Sequence, residues 1–232
     1  MRQVKRQWFA VAMLALAAWT LPGDEAEAQT PPNAADVAAY TGLHKAAHDG
    51  DVAAIGQLLA DGADLEARDG NGRTPAHVAA FASHEDAVAA LAKGGADVNA
   101  LDAERYDMVT IAAVADDLAM LKAALAAGND PGLTTSRYDG TALIAAAHLG
   151  HAEVVKTLIK AGAPLDHINN LGWTALIEAV ILGDGGPRHQ QTVRHLVEAG
   201  ADKAIADRQG ETPLDHARSR GYGEIVGILQ GG

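Results

Sequence analysis

Ten histidines are the first residues of this 232-residue sequence that could do chemistry. A neutral imidazole donates from one nitrogen and accepts at the other, binds metals and titrates near neutral pH. Their placement argues against a site. His148 and His151 straddle a helix-helix turn, and His189 and His195 flank an interrupted stretch. Such pairs fall short of the three or four ligands of a built metal centre. No metal or cofactor is therefore expected; metal or haem carriage by surface histidines is the alternative of a different class. The glycine motifs are no stronger. "GYGEIVG" (221–227) has G-x-G-x-x-x-G spacing and no preceding strand, whereas a dinucleotide loop needs a βαβ setting. "DGNGRT" (69–74) starts like a calcium loop, but its twelfth position is Ala80 rather than Glu. The sequence has no G-x-S-x-G, no G-K-[ST] and no cysteine, so thiolate nucleophiles, disulfides and zinc ribbons are excluded. No catalytic residue is assigned, and an enzyme is not expected.

The elements that carry these residues are small-cored. The chain is 48% hydrophobic but 4% aromatic, with 25 glycines, which suits closely packed thin helices. Its net charge of -12 disfavours nucleic acid or an anionic membrane as a partner. Residues 1–28 read as a secretory signal peptide. "MRQVKR" is basic, residues 8–21 are apolar, and Ala26-x-Ala28 is a cleavage pattern. Fourteen apolar residues are too few for the roughly 20 that a membrane-spanning helix requires. The leader carries equal numbers of acidic and basic residues, so cleavage leaves the charge at -12. A monomer without a membrane span is expected after export. Residues 29–33, "QTPPN", read as a short extended tail because two prolines exclude helix.

Residues 34–232 repeat. Thr41, Thr74, Asp107, Thr141, Thr174 and Thr212 form one column, with steps of 33, 33, 34, 33 and 38 residues. Gly62, Gly95, Gly128, Gly162 and Gly200 form another. A period near 33 predicts a solenoid of stacked units, each covered by its neighbours. The units run at about 34–68, 69–101, 102–135, 136–168, 169–206 and 207–232. In unit four, Leu143, Ile144 and Ala147, then Val154, Val155, Leu158 and Ile159, follow helical spacing. Thr141 sits at an N-cap, with Gly150 and Gly162 at helix ends. "RTPAHVAA", "ETPLDHA" and "GHAEVVKTLIKAGAPL" resemble the ankyrin repeat signature. The resemblance implies an all-α solenoid of six repeats, each two antiparallel helices with a β-hairpin or loop. It further implies that His44 and His77 tie neighbouring loops together. Unit three departs from the pattern, with "DMVT" for the signature and Asp116 for the inter-helix glycine, and is expected to be the weakest internal unit. Residues 36–40 read as an N-terminal cap.

In this family the hairpins and inner helices line a concave binding face. Most aromatics beyond the leader fall there, together with several arginines. Arg105, Tyr106, Tyr138 and Trp173 are expected at the centre of a protein-binding surface, with Arg73, Phe81, Arg137 and Arg208 around it. Tyr, Trp and Arg dominate binding hot spots. The bland alternative is that these rings brace adjacent repeats. Unit five is about five residues too long, the excess falling at 183–187 between its helices. Asp184, Gly185, Gly186, Pro187 and Arg188 are a possible second contact loop, with Pro187 opening the following helix. The interruption resembles that of secreted bacterial ankyrin proteins. That likeness implies a periplasmic setting, some members supporting a haem enzyme such as catalase under oxidative stress.

Overall fold

The computed structural model describes residues 29–231; the proposed leader lies outside them. Residues 29–33 form no regular element, and α1 (Ala34–Ala39) follows. Asn33 caps α1 and Asp36 returns the bond to the Asn33 N–H, a reciprocal cap that stabilises so short a helix. Six helix pairs complete the chain: α2 (Gly42–His48) with α3 (Val52–Ala60), and α4 (Pro75–Phe81) with α5 (Glu85–Gly94). Next come α6 (Met108–Val114) with α7 (Leu118–Ala126), and α8 (Ala142–Leu149) with α9 (Ala152–Lys160). The last are α10 (Ala175–Ile181) with α11 (Pro187–Glu198), and α12 (Pro213–Ser219) with α13 (Gly223–Gly231).

The first helices of the pairs stack in one row and the second helices in another. The core lies between the rows, where the Ala, Leu, Val and Ile positions of the helical pattern are buried. Helices of seven to twelve residues are marginal alone, so each depends on tertiary cover. The loops between units contain no named strand among the described residues; the isolated bridge Thr135–Gly140 is their extended pairing. Thr141 and Thr174 accept from Ile144 N and Ile177 N, as N-caps do.

Unit three replaces each missing signature with a different device. Asp107 accepts from Thr110 N at 2.9 Å and from Asn129 Nδ2 at 2.8 Å. Asn129 in turn accepts from Val109 N. Asp116 takes the left-handed conformation, φ 56°, which an L-residue adopts less readily than glycine. Thr110 holds the position of His44 and His77, and bonds Thr135 Oγ1 rather than a backbone carbonyl.

The long turn of unit five is tethered at many points. Asp184 accepts from Gly186 N and from His189 Nδ1, each at 2.8 Å. His189 Nε2 donates to the His148 carbonyl at 2.9 Å, and Tyr222 donates to the Gly183 carbonyl at 3.0 Å. Arg188 reaches two units back, to the Gly150 carbonyl and the Asp116 carboxylate. The extra residues therefore let unit five grip units three and four, and α11 also contacts α8. Asp184 and Arg188 remain exposed.

Two outcomes are expected. In hydrogen exchange, α6 and α7 should open before α8 and α9, because Asp107 is a buried acid and Asp116 is a strained non-glycine turn. In urea denaturation, His189→Ala should cost about 1–3 kcal/mol by removing its bond to the His148 carbonyl and its packing between units four and five. Arg188→Ala should cost at most about 1 kcal/mol, since its ion pair is exposed.

Candidate functional site: a cavity on the concave face

Each inter-unit loop is shaped by a side chain that mimics a turn. Asp102 Oδ1 accepts from Glu104 N and Tyr106 N, and Asn169 Oδ1 from Leu171 N and Trp173 N. Asp69 does the same for Asn71 N and Arg73 N. This fixes the backbone that presents residues 73, 106 and 173. Successive loops are then laced: Ala103 N donates to Asn71 O, Ser136 N to Arg105 O, and Asn170 N to Tyr138 O. The imidazoles of His44 and His77 bond the carbonyls of Arg73 and Tyr106 in the following loop, so they do tie neighbours together. A carbonyl only accepts, so Nε2 is protonated in both. Burial lowers the pKa of His77, in keeping with a neutral ring.

Tyr106 and Tyr138, from adjacent units, line one cavity of about 240 Å³. Val114, Ile144 and Leu149 add apolar wall, while Thr110, Thr135 and Thr141 add hydroxyls. Beside it, a second hollow is lined by Arg105, Tyr106 and Arg137. Arg105 Nη1 pairs with Asp139 Oδ1 at 3.0 Å, and the Arg137 guanidinium lies 6.0 Å from the Tyr138 ring centre. Burial pushes the Tyr106 phenol above its ordinary value. The structure thus gathers Arg105, Tyr106, Arg137 and Tyr138.

The other expected surface residues are placed differently. Arg73 is 2% exposed and is a correction to the sequence reading. Its guanidinium lies 3.4 Å from Asp36 and 3.5 Å from Asp69, and 5.6 Å from the Phe81 ring centre. Neutralising two acids and stacking on Phe81 keeps it inside, where it ties α1 to unit two. Trp173 is half-buried and does not line the Tyr106–Tyr138 cavity. Arg208 is exposed, with its guanidinium donating to the Asn170 carbonyl.

Of the cavity residues that the sequence did not single out as a site, Gln29, His148 and Glu178 carry the most distinctive chemistry. Glu178 is 5% exposed, on α10, in a column that holds Val78, Ile111 and Ala145 in the other internal units, with Lys45 and His216 in the terminal ones. A carboxylate in a column that is apolar in the other internal units was the available signal. Its Oε1 accepts from Asn169 Nδ2 at 2.8 Å, and its Oε2 lies 3.5 Å from His148 Nδ1. Burial pushes the carboxyl up to about 7, against the Asn169 bond. Burial, then the nearby His189, lowers the His148 pKa. Both groups resist charging, so the contact is not a strong ion pair near neutral pH. Among the described residues no three His, Asp or Glu side chains converge to hold a metal ion, and no helix is long and apolar enough to cross a membrane.

Glu178 gives a pH prediction. Its folded value of about 7 exceeds the ordinary 4.5, so folding favours the protonated form. Below pH 4.5 both states are protonated and there is no cost; above pH 7 the cost is full, as much as about 3 kcal/mol. Wild-type stability should therefore fall, relative to Glu178→Gln, as pH rises through this window. Parallel thermal melts across it are the check.

The comparisons with known proteins agree with this architecture. A family model described as ankyrin repeats (3 copies) matches residues 13–102 and 109–207. The ankyrin repeat protein YahD of Escherichia coli K12 is 36% identical over 185 residues, covering 79% of this chain and 92% of its own. The solved ankyrin repeat domain from Acinetobacter baumannii AYE is 46% identical, with a TM-score of 0.76, covering 81% of this chain and 95% of that one. Human protein phosphatase 1 regulatory subunit 27 is 33% identical over 100 residues, 43% of this chain and 61% of its own. In repeat signature, helical stacking and overall likeness, the chain belongs to the ankyrin repeat family.

Proposed function

We propose that this protein is exported to a bacterial periplasm and binds a partner protein there through the concave face of units three and four. Ankyrin repeats are protein–protein interaction modules, generally non-catalytic. The leader-like residues 1–28 motivate the location. One observation carries the binding surface: Tyr106 and Tyr138 of neighbouring units wall a common cavity, with Arg105 and Arg137 beside it. Rigid aromatics flanked by guanidinium groups are the typical anchors of an interface.

Backbone strain at the same place supports the reading. The residue two before each cap is Gly72, Gly172 and Gly210 in three units, with φ of 71°, 88° and 84°. In units three and four it is Arg105 and Asp139, with φ of 67° and 51°. Holding an L-residue there costs roughly 1–2 kcal/mol, and such strain collects at functional sites. These two strained residues form the Arg105–Asp139 pair beside the tyrosines.

Capture from periplasmic extract by the wild type, compared with Tyr106→Ala/Tyr138→Ala, tests the surface. The double variant should lose the partner by about 2 kcal/mol or more while keeping its helical circular dichroism. Undiminished capture would move the binding site elsewhere. Arg105→Gly should raise stability by up to about 1 kcal/mol, through relief of the left-handed residue, and still weaken binding.

A further inference from the structure

Gln29 lies five residues before α1, yet its side chain lines the cavity built by units three to five. It is 8% exposed, and its Nε2 is buried without a hydrogen-bond partner. Residues 29–33 therefore connect this cavity to α1. An orphaned amide donor is costly to bury, so glutamine fills the space without satisfying it. On the opposite side of the balance stands Glu178, 5% exposed, whose hydrogen-bond donor is the neutral amide of Asn169. His148, at 3.5 Å, is the titratable side chain within ion-pair distance, and burial disfavours its charged form. Among the described residues, the cavity thus contains a buried acid with no cationic side chain committed to it and a resident amide that makes no hydrogen bond.

We propose that this cavity is a receptor for one arginine or lysine side chain of an extended partner segment, with Glu178 as its counter-charge and Gln29 as the resident occupant it displaces. The proposal rests on the concave-face reading above and names the chemistry that face selects. Three features favour a cation over a neutral donor. Folding has already stripped water from Glu178, so the incoming cation meets a carboxylate whose desolvation is complete; its raised pKa reflects that burial. The walls of Tyr106, Tyr138, Val114, Ile144 and Leu149 suit the methylene stem of a long basic side chain. The chain's net charge of -12 draws a basic segment toward the face. Arg105 and Arg137 lie next to the mouth, but Arg105 is neutralised by Asp139 and Arg137 rests on Tyr138.

The test uses the full chain and three capped tripeptides, acetyl-Ala-X-Ala-amide, with X as arginine, glutamine or norleucine, titrated by NMR. The arginine peptide should bind at least about tenfold more tightly than the other two, a difference typical of one well-placed charged hydrogen bond. Glu178→Gln should abolish that preference, and Gln29→Ala should strengthen arginine-peptide binding severalfold by emptying the cavity. Equal binding of the three peptides, or a preference surviving Glu178→Gln, overturns the proposal. A second arm needs no peptide. Gln29→Arg places the cation in cis, and the Glu178 carboxyl, followed by NMR, should then titrate at least about one pH unit lower. An unchanged titration also overturns it. If these arms fail while Tyr106→Ala/Tyr138→Ala still loses the captured partner, the cation receptor is wrong and the concave-face reading stands. If the double variant keeps the partner while the arginine preference holds, the converse applies.

Discussion

A pair of short helices has no interior. Every unit of this molecule must be roofed by the next, so the physical constraint beneath the whole structure is the register between neighbours. Side chain to backbone-carbonyl bonds set that register at both ends of the helices. At the loop end, His44 meets Arg73 O, His77 meets Tyr106 O and His167 meets Asp139 O. At the turn end, His151 meets Ala113 O, His189 meets His148 O and Tyr222 meets Gly183 O. Hydrophobic burial alone would tolerate sliding of one alanine-rich layer over the next. A directional bond to a fixed carbonyl does not.

Four of the ten histidines are explained by this constraint. His44, His77, His151 and His189 serve as spacers between units, each using a ring nitrogen on a backbone oxygen in the unit before or after. His195 and His216 bond side chains instead, and His148 faces the Glu178 carboxylate. The lengthened turn of unit five belongs to the same system. His189 keeps its place over unit four although the chain around it has grown, and Arg188 extends the reach to Asp116 of unit three. An insertion that reads as slack is partly a clasp over the irregular unit.

Four departures from regularity lie around one cavity. Arg105 and Asp139 occupy left-handed positions that glycine fills in other units, Glu178 stands where the other internal units are apolar, and Gln29 buries an amide unpaired among the described residues. Each lowers stability locally, and the surrounding repeats over-determine the fold enough to hold them. Local rules broken together in one place are what a binding site superimposed on a repeat scaffold would produce.

The sequence by itself determined the number of units, the helical positions of the core and the caps, because a period near 33 with apolar residues at helical spacing requires stacked helical units and the signature motifs select the ankyrin arrangement. It also located the added residues at 183–187 and Pro187 at the start of a helix. It brought Arg105, Tyr106, Arg137 and Tyr138 to attention through residue type. Which of the candidates share a surface was decided by tertiary structure alone. Arg73 has the same residue type as Arg105 but faces Asp36, Asp69 and Phe81, so it is buried, and that depends on α1 folding back over unit two. Glu178, His148 and Gln29 come from three separate stretches and meet at one cavity only when the inner helices and the leading segment are packed together. Period and polarity are local properties that a sequence displays. The company a side chain keeps across units depends on curvature and register, which exist only once the units are stacked.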